Sequence, residues 1–188
     1  MPWPQGKAIV EALLLASPEP LTLRRLAEVM ELDERSARAL IDDLRQDFEN
    51  STRGIVLQEV AGGYQLVTHP ACAEWVQKLV APRASSLSHA ALETLAIVAY
   101  RQPVTRGEIE QVRGVNADAS VRTLLDRHMI REVGRREVPG RPILYGTTKE
   151  FLLYFGLKDL SELPALPEPG VGSATDHLGR ESGGERPA

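Results

Sequence analysis

Four arginines in one short segment are the first residues to which a chemistry attaches. Arg131 and Arg135, then Arg136 and Arg141, flank or lie within the stretch from Gly134 to Thr148. That stretch reads Gly-Arg-Arg-Glu-Val-Pro-Gly-Arg-Pro-Ile-Leu-Tyr-Gly-Thr-Thr. A guanidinium offers phosphate a planar fork of N–H donors, so all four are candidate phosphate contacts. Glu132 and Glu137 sit among them. The same segment therefore suits the acidic groups of a protein partner, or serves only to keep a hairpin soluble.

The remaining reactive residue types form no constellation. His69, His89, His128 and His177 are scattered, without metal-ligand spacing. Cys72 is the single cysteine and has no local base, so its expected role is packing. A lone thiol makes neither an internal disulfide nor a cysteine zinc site, which fits a reducing compartment. Asp42, Asp43 and Asp47 read as the exposed face of a helix rather than a cation site. No phosphate-cradling lysine loop and no dinucleotide fingerprint occurs, and Gly62-Gly63 fits a hairpin turn. The expectation is a protein that is not an enzyme and holds no catalytic residue, metal or cofactor.

The elements that carry these residues occur twice. Glu11-Ala-Leu-Leu-Leu-Ala-Ser followed by Pro20-Leu21-Thr22 resembles Glu93-Thr-Leu-Ala-Ile-Val-Ala followed by Pro103-Val104-Thr105. Ser36-Ala-Arg-Ala-Leu-Ile likewise resembles Ser120-Val-Arg-Thr-Leu-Leu. Each copy is the size of a small domain and reads helix, helix, helix, hairpin, helix.

In the first copy, Ile9, Leu13 and Ala16 share a helical face. Thr22 suits the start of a second helix, and a third from Asp33 presents Ala37, Leu40, Ile41, Leu44 and Phe48. Ile55–Val60 and Tyr64–Thr68 flank Ala61-Gly62-Gly63 as a hairpin, and Pro70 opens a last helix. In the second copy, Ser88 caps a helix with Leu92, Leu95 and Val98 turned inward. Thr105-Arg-Gly-Glu108 and Thr147-Thr-Lys-Glu150 both have the spacing of a capping box. Pro139-Gly140 turns the second hairpin. A polar hairpin that runs into a helix start is the wing of a winged helix. The fold class expected is mainly α with small β-hairpin wings, two tandem winged-helix domains. The expected boundaries are 1–80, a linker at 81–87, 88–166, and a disordered tail at 167–188 whose composition buries too little apolar surface to order.

Formal net charge is −4 over 188 residues. Residues 1–83 hold 9 basic and 12 acidic side chains, residues 84–160 hold 11 and 9, and residues 161–188 hold 2 and 5. No basic field covers the molecule. The third helices carry Glu34, Asp42, Asp43 and Asp47 in one copy and Asp118 and Asp126 in the other. Those carboxylates would face phosphate in a DNA groove. Pairs such as Arg38–Asp42 and Arg122–Asp126, one turn apart, read as a solvated face. No signal peptide or apolar run long enough for a bilayer appears, so a cytoplasmic protein without membrane contact is expected.

Partner binding fits better. Leu152, Leu153, Tyr154, Phe155 and Leu157 crowd one short helix, followed by Leu160, Leu163 and Leu166. One helix face is too narrow for all of them. Either a neighbour covers some, or Leu160–Leu166 folds back as a clasp. Trp3 and Tyr64 are candidate interface anchors, and Trp75 is a candidate core residue.

The second copy also resembles a known family. Leu87-Ser-His-Ala-Ala-Leu-Glu-Thr-Leu-Ala-Ile-Val-Ala-Tyr-Arg-Gln-Pro-Val-Thr-Arg, Gly140-Arg-Pro-Ile-Leu-Tyr-Gly-Thr-Thr and Phe151-Leu-Leu-Tyr-Phe-Gly-Leu resemble segregation and condensation protein B, a bacterial condensin subunit. The resemblance spans about residues 7–166 and is looser in the first copy. His128-Met129 departs from it, standing where the family more often has glycine and an aliphatic residue.

The resemblance implies a subunit without enzymatic activity that homodimerises through its N-terminal domain. It also implies binding to the kleisin, segregation and condensation protein A, which bridges the heads of an SMC ATPase. The role implied is chromosome condensation and segregation at cell division, in the cytoplasm at the nucleoid, with DNA touched indirectly or weakly. Candidate kleisin contacts are Tyr100, Arg101, Tyr145, Tyr154 and Phe155. Candidate dimer contacts are Trp3, Ile9 and Leu13. The alternative is a winged-helix DNA-binding transcriptional regulator using the four hairpin arginines.

Overall fold

The computed structural model describes residues 6–80 and 87–166. Trp3, the expected linker apart from Leu87, and the expected tail lie outside those residues.

The first half opens with α1 (Gly6–Ala16), α2 (Leu23–Met30) and α3 (Glu34–Glu49). Thr22 caps α2 by accepting from the Arg25 N–H, and Asp33 caps α3 by accepting from the Ser36 N–H. The apolar stripe on α3 turns Ala37, Ile41, Leu44 and Phe48 inward, against Val10, Leu14 and Leu26. Strands β1 (Ile55–Val60) and β2 (Gly63–Thr68) form an antiparallel hairpin.

The hairpin loop is Ala61-Gly62, with φ of 49° and 72°, as a two-residue type I′ turn requires. Gly63 is already in β2. A Cβ there would stand 3.0 Å from the backbone of Pro20 and Leu21, the segment that bridges to Tyr64. A 3-10 turn (Pro70–Cys72) then leads into α4 (Ala73–Leu79), none of whose residues is buried.

The second half repeats the plan with α5 (His89–Arg101), β3 (Val104–Thr105), α6 (Arg106–Arg113) and α7 (Asp118–Asp126). It continues with β4 (Ile130–Arg135), β5 (Ile143–Thr147) and α8 (Lys149–Phe155). The sheet order is β3-β5-β4, antiparallel throughout. Its core joins Leu95, Val98, Ile109, Leu124, Ile130 and Phe151.

The two halves match in detail, because Leu21 bridges Tyr64 as Val104 pairs with Tyr145. Both tyrosines are buried. The short strand β3 carries too little pattern to be read from sequence; pairing with β5 creates it.

Local differences from the expectations have local causes. The cap of α8 is Thr148, which accepts from the Phe151 N–H, rather than Thr147, whose N–H and hydroxyl are taken by Gln102 Oε1. Thr105 does form the reciprocal capping box with Glu108. Tyr64 is a core residue with its hydroxyl bonded to Arg38, while Trp75 is 65% exposed, the reverse of the expected roles.

Candidate partner-binding surface

Helix α5 carries two apolar stripes. Ala91, Leu95 and Val98 face the core, while Leu92, Ala96 and Tyr100 form the adjoining row at one-turn spacing. Helix α8 packs Phe151 into the core and turns Phe155 toward that second row. The Phe151 and Phe155 rings are 5.0 Å apart, and Tyr154 meets Phe155 edge-on at 5.0 Å.

Gly156 then ends α8 in the left-handed region at φ 67°, and the Leu157 N–H returns to the Leu152 carbonyl at 2.9 Å. The chain doubles back. A 3-10 turn (Leu160–Glu162) is capped by Asp159, Leu163 packs on the core, and the Tyr100 hydroxyl donates to the Pro164 carbonyl at 2.7 Å. Of the expected clasp Leu160–Leu166, only Leu163 folds back onto the core, beside Leu157, while Leu160 and Leu166 stay exposed.

Between α5, α8 and this returning segment lies a groove of about 340 Å³. Leu92, Ala96, Tyr100, Phe155, Leu163 and Pro164 line it. The lining is almost wholly apolar, with the Tyr100 hydroxyl already engaged. Such a groove offers shape and apolar area to an extended or helical segment and no group for bond chemistry.

The candidate kleisin contacts divide in three. Tyr100 and Phe155 share the groove, and Tyr154 stands at its edge, 50% exposed. Arg101 belongs to a separate polar cleft with Pro103, Glu108 and Arg136. Tyr145 lies in the core at 7% exposure, and burial is the main cause that pushes its hydroxyl pKa up. Ala96 and Pro164 complete the groove without having been expected there, together with Leu163 and with Leu92, which is 39% exposed and lines the groove instead of turning into the core with Leu95 and Val98. The 92–96–100 spacing was the available signal.

The four arginines do not gather. Arg136 binds Glu108 at 2.7 Å. That bond and those from Thr105, the backbone N–H above all, hold the Glu108 carboxyl down at about 2. Arg135 donates to the Arg141 carbonyl at 3.3 Å. A β-bulge between Glu132 and Gly134 shifts the register, so Arg131 opposes Gly146 while Arg135 opposes Ile143. Three partner positions separate them, which places Arg131 and Arg135 on opposite faces of the sheet.

On α3, Lys7 binds Asp47 at 2.5 Å, and Arg38 reaches Tyr64 rather than Asp42. Ile9 and Leu13 are half-buried, with Leu13 packed on the first core. Leu15 is the exposed leucine of α1, at 75%. Histidines serve locally: His69 Nδ1 accepts from the Ala71 N–H, and His89 sits 3.1 Å from Glu93. Among the described residues no helix is long and apolar enough to cross a membrane.

The family model "Segregation and condensation complex subunit ScpB" matches residues 8–166. Segregation and condensation protein B of Symbiobacterium thermophilum is 58% identical over 98% of this chain and 84% of its own length. The crystal structure of ScpB from Mycobacterium tuberculosis is 40% identical, with a TM-score of 0.39 over 81% of this chain and 95% of that one. A dimer of the ScpB N-terminal domain complexed with a ScpA peptide is 45% identical, with a TM-score of 0.38 over 39% of this chain and 93% of that one. By a match over residues 8–166 and relatives of this identity, the chain belongs to the ScpB family of segregation and condensation complex subunits.

Proposed function

We propose that this chain is a non-enzymatic subunit that self-associates and binds a kleisin, ScpA, through the groove between α5 and α8. Family membership supports the partner, and the apolar groove is the observation that carries the site. Each half is taken as a winged-helix domain, 1–80 and 88–166, with the first supplying the self-association. Through the kleisin the subunit acts on an SMC ATPase at the nucleoid, in chromosome segregation during cell division. Direct DNA reading is disfavoured by the acidic third helices and by the separation of the four hairpin arginines.

The test is titration of the full chain with the central segment of its cognate kleisin. Binding is expected to be lost or weakened at least about tenfold by Tyr100→Ala with Phe155→Ala, as for truncated aromatic anchors. Unchanged affinity in that variant would remove the groove from the proposal. No binding by the parent chain would remove the kleisin.

A further inference from the structure

Leu157 makes three contacts from one position. Its side chain packs on the second core and walls the groove. Its N–H returns to the Leu152 carbonyl, and its own carbonyl accepts from the Ala61 N–H at the tip of the first hairpin. Lys158 repeats the arrangement. Its carbonyl accepts from the Gly62 N–H, its N–H donates to the Glu162 carboxylate at 2.7 Å, and its ammonium faces Glu59. Glu162 leads directly into Leu163 and Pro164, the rest of the same groove wall, where the Tyr100 hydroxyl bonds the Pro164 carbonyl.

Residues 157–164 thus form a strap with two faces. Leu157, Leu163 and Pro164 line the groove on one face. On the other, backbone carbonyls just past the end of α8 find their donors in the first half. The first half also reaches the opposite end of α8, where Lys149 lies 3.5 Å from Glu19. That pair is exposed and adds little, so the directional bonds at the hairpin tip are what position the strap.

We propose that docking of the first half holds the groove wall in place, so that groove occupancy and the contact between the halves reinforce each other. Releasing the hairpin frees the outer edge of the strap, and an occupant then loses part of its wall. That difference in contact is the source of the coupling, which acts equally in both directions. The occupant is the kleisin segment of the reading above, on which this coupling rests.

Amide exchange at Ala61 and Gly62, followed by NMR on the full chain, reads the contact directly. Tyr100→Phe keeps the ring and removes the bond to Pro164. Without any ligand it should speed exchange at both amides about threefold or more, the worth of one hydrogen bond, while amides within the β1–β2 ladder keep their rates. The central kleisin segment at saturation should slow the same two amides at least about fivefold in the parent chain. Gln58→Ala with Glu59→Gln cuts the hairpin's side-chain ties to Gly156 and Lys158, leaves Arg45 an acceptor and lies outside the groove. It should weaken kleisin binding about threefold or more.

Unchanged exchange in Tyr100→Phe overturns the coupling whether or not the kleisin binds. Faster exchange with equal kleisin affinity in the parent and the hairpin variant also overturns it. A parent chain that fails to bind the kleisin removes the kleisin alone, and Tyr100→Phe then decides the coupling by itself.

Discussion

Arg136 spends its charge on Glu108, and Glu108 in turn is fixed by Thr105 at the start of α6. One carboxylate thus ties a hairpin strand end to a helix cap. Its pKa is lowered from 4.5 to about 2, first by the Thr105 N–H and then by Arg136. A depressed carboxylate stabilises the fold above its unfolded pKa, and that contribution fades as pH falls from about 4.5 toward 2. The Glu108→Gln variant should therefore unfold more easily than the parent at pH 7. The two should converge as the buffer approaches pH 2, measured by denaturant titration across that range. Tyr64 and Tyr145 show a second rule at this scale. Their rings stand at equivalent sheet positions, and burial is the main cause raising both hydroxyl pKa values. An aromatic residue beside a polar hairpin is here part of the core, whatever its surface-seeking reputation.

Helix ends do much of the work of placing the elements. The His128 N–H bonds the Leu125 carbonyl and the Met129 N–H bonds the Leu124 carbonyl, each at 2.9 Å. Leu124 and Met129 bury beside each other at that exit. This is a Schellman ending with histidine, at φ 56°, in the left-handed position that glycine occupies without strain. Replacing His128→Gly should raise stability by about 0.5–1 kcal/mol, because relief of the left-handed strain outweighs the added freedom of the unfolded chain. Thermal unfolding should shift upward by about 2–4 °C per kcal/mol for a chain of this size. Histidine at this left-handed position thus carries a physical cost that glycine would not.

At the scale of the whole molecule, the two halves meet where α8 ends. The Ala61 and Gly62 N–H groups donate to the Leu157 and Lys158 carbonyls at 2.9 and 3.1 Å. Gln58 Nε2 donates to the Gly156 carbonyl at 3.1 Å, and Lys158 lies 3.4 Å from Glu59. The first hairpin's tip thereby finds acceptors in the second half. A Cβ on Gly156 would stand 3.0 Å from Gln58 Nε2, at a φ of 67°. Gly156→Ala should cost about 1 kcal/mol or more and lower the melting temperature by a few degrees, read by scanning calorimetry. Much of this architecture was legible in the residues. The repeat announced two similar halves, and the helical stripes and caps at Thr22, Asp33, Ser88 and Thr105 marked the helices. Those features depend on spacing and on backbone donors a few residues away, which a sequence displays directly. Other features depend on which surfaces meet. Burying Tyr64 while leaving Trp75 in solvent, aligning Leu92, Ala96 and Tyr100 with Phe155 and Pro164, and splitting Arg131 from Arg135 by a bulge all join residues distant in the chain or hinge on strand register. Periodicity tells which face of a helix is apolar, but only the packed chain decides what covers that face and what is left open to a partner.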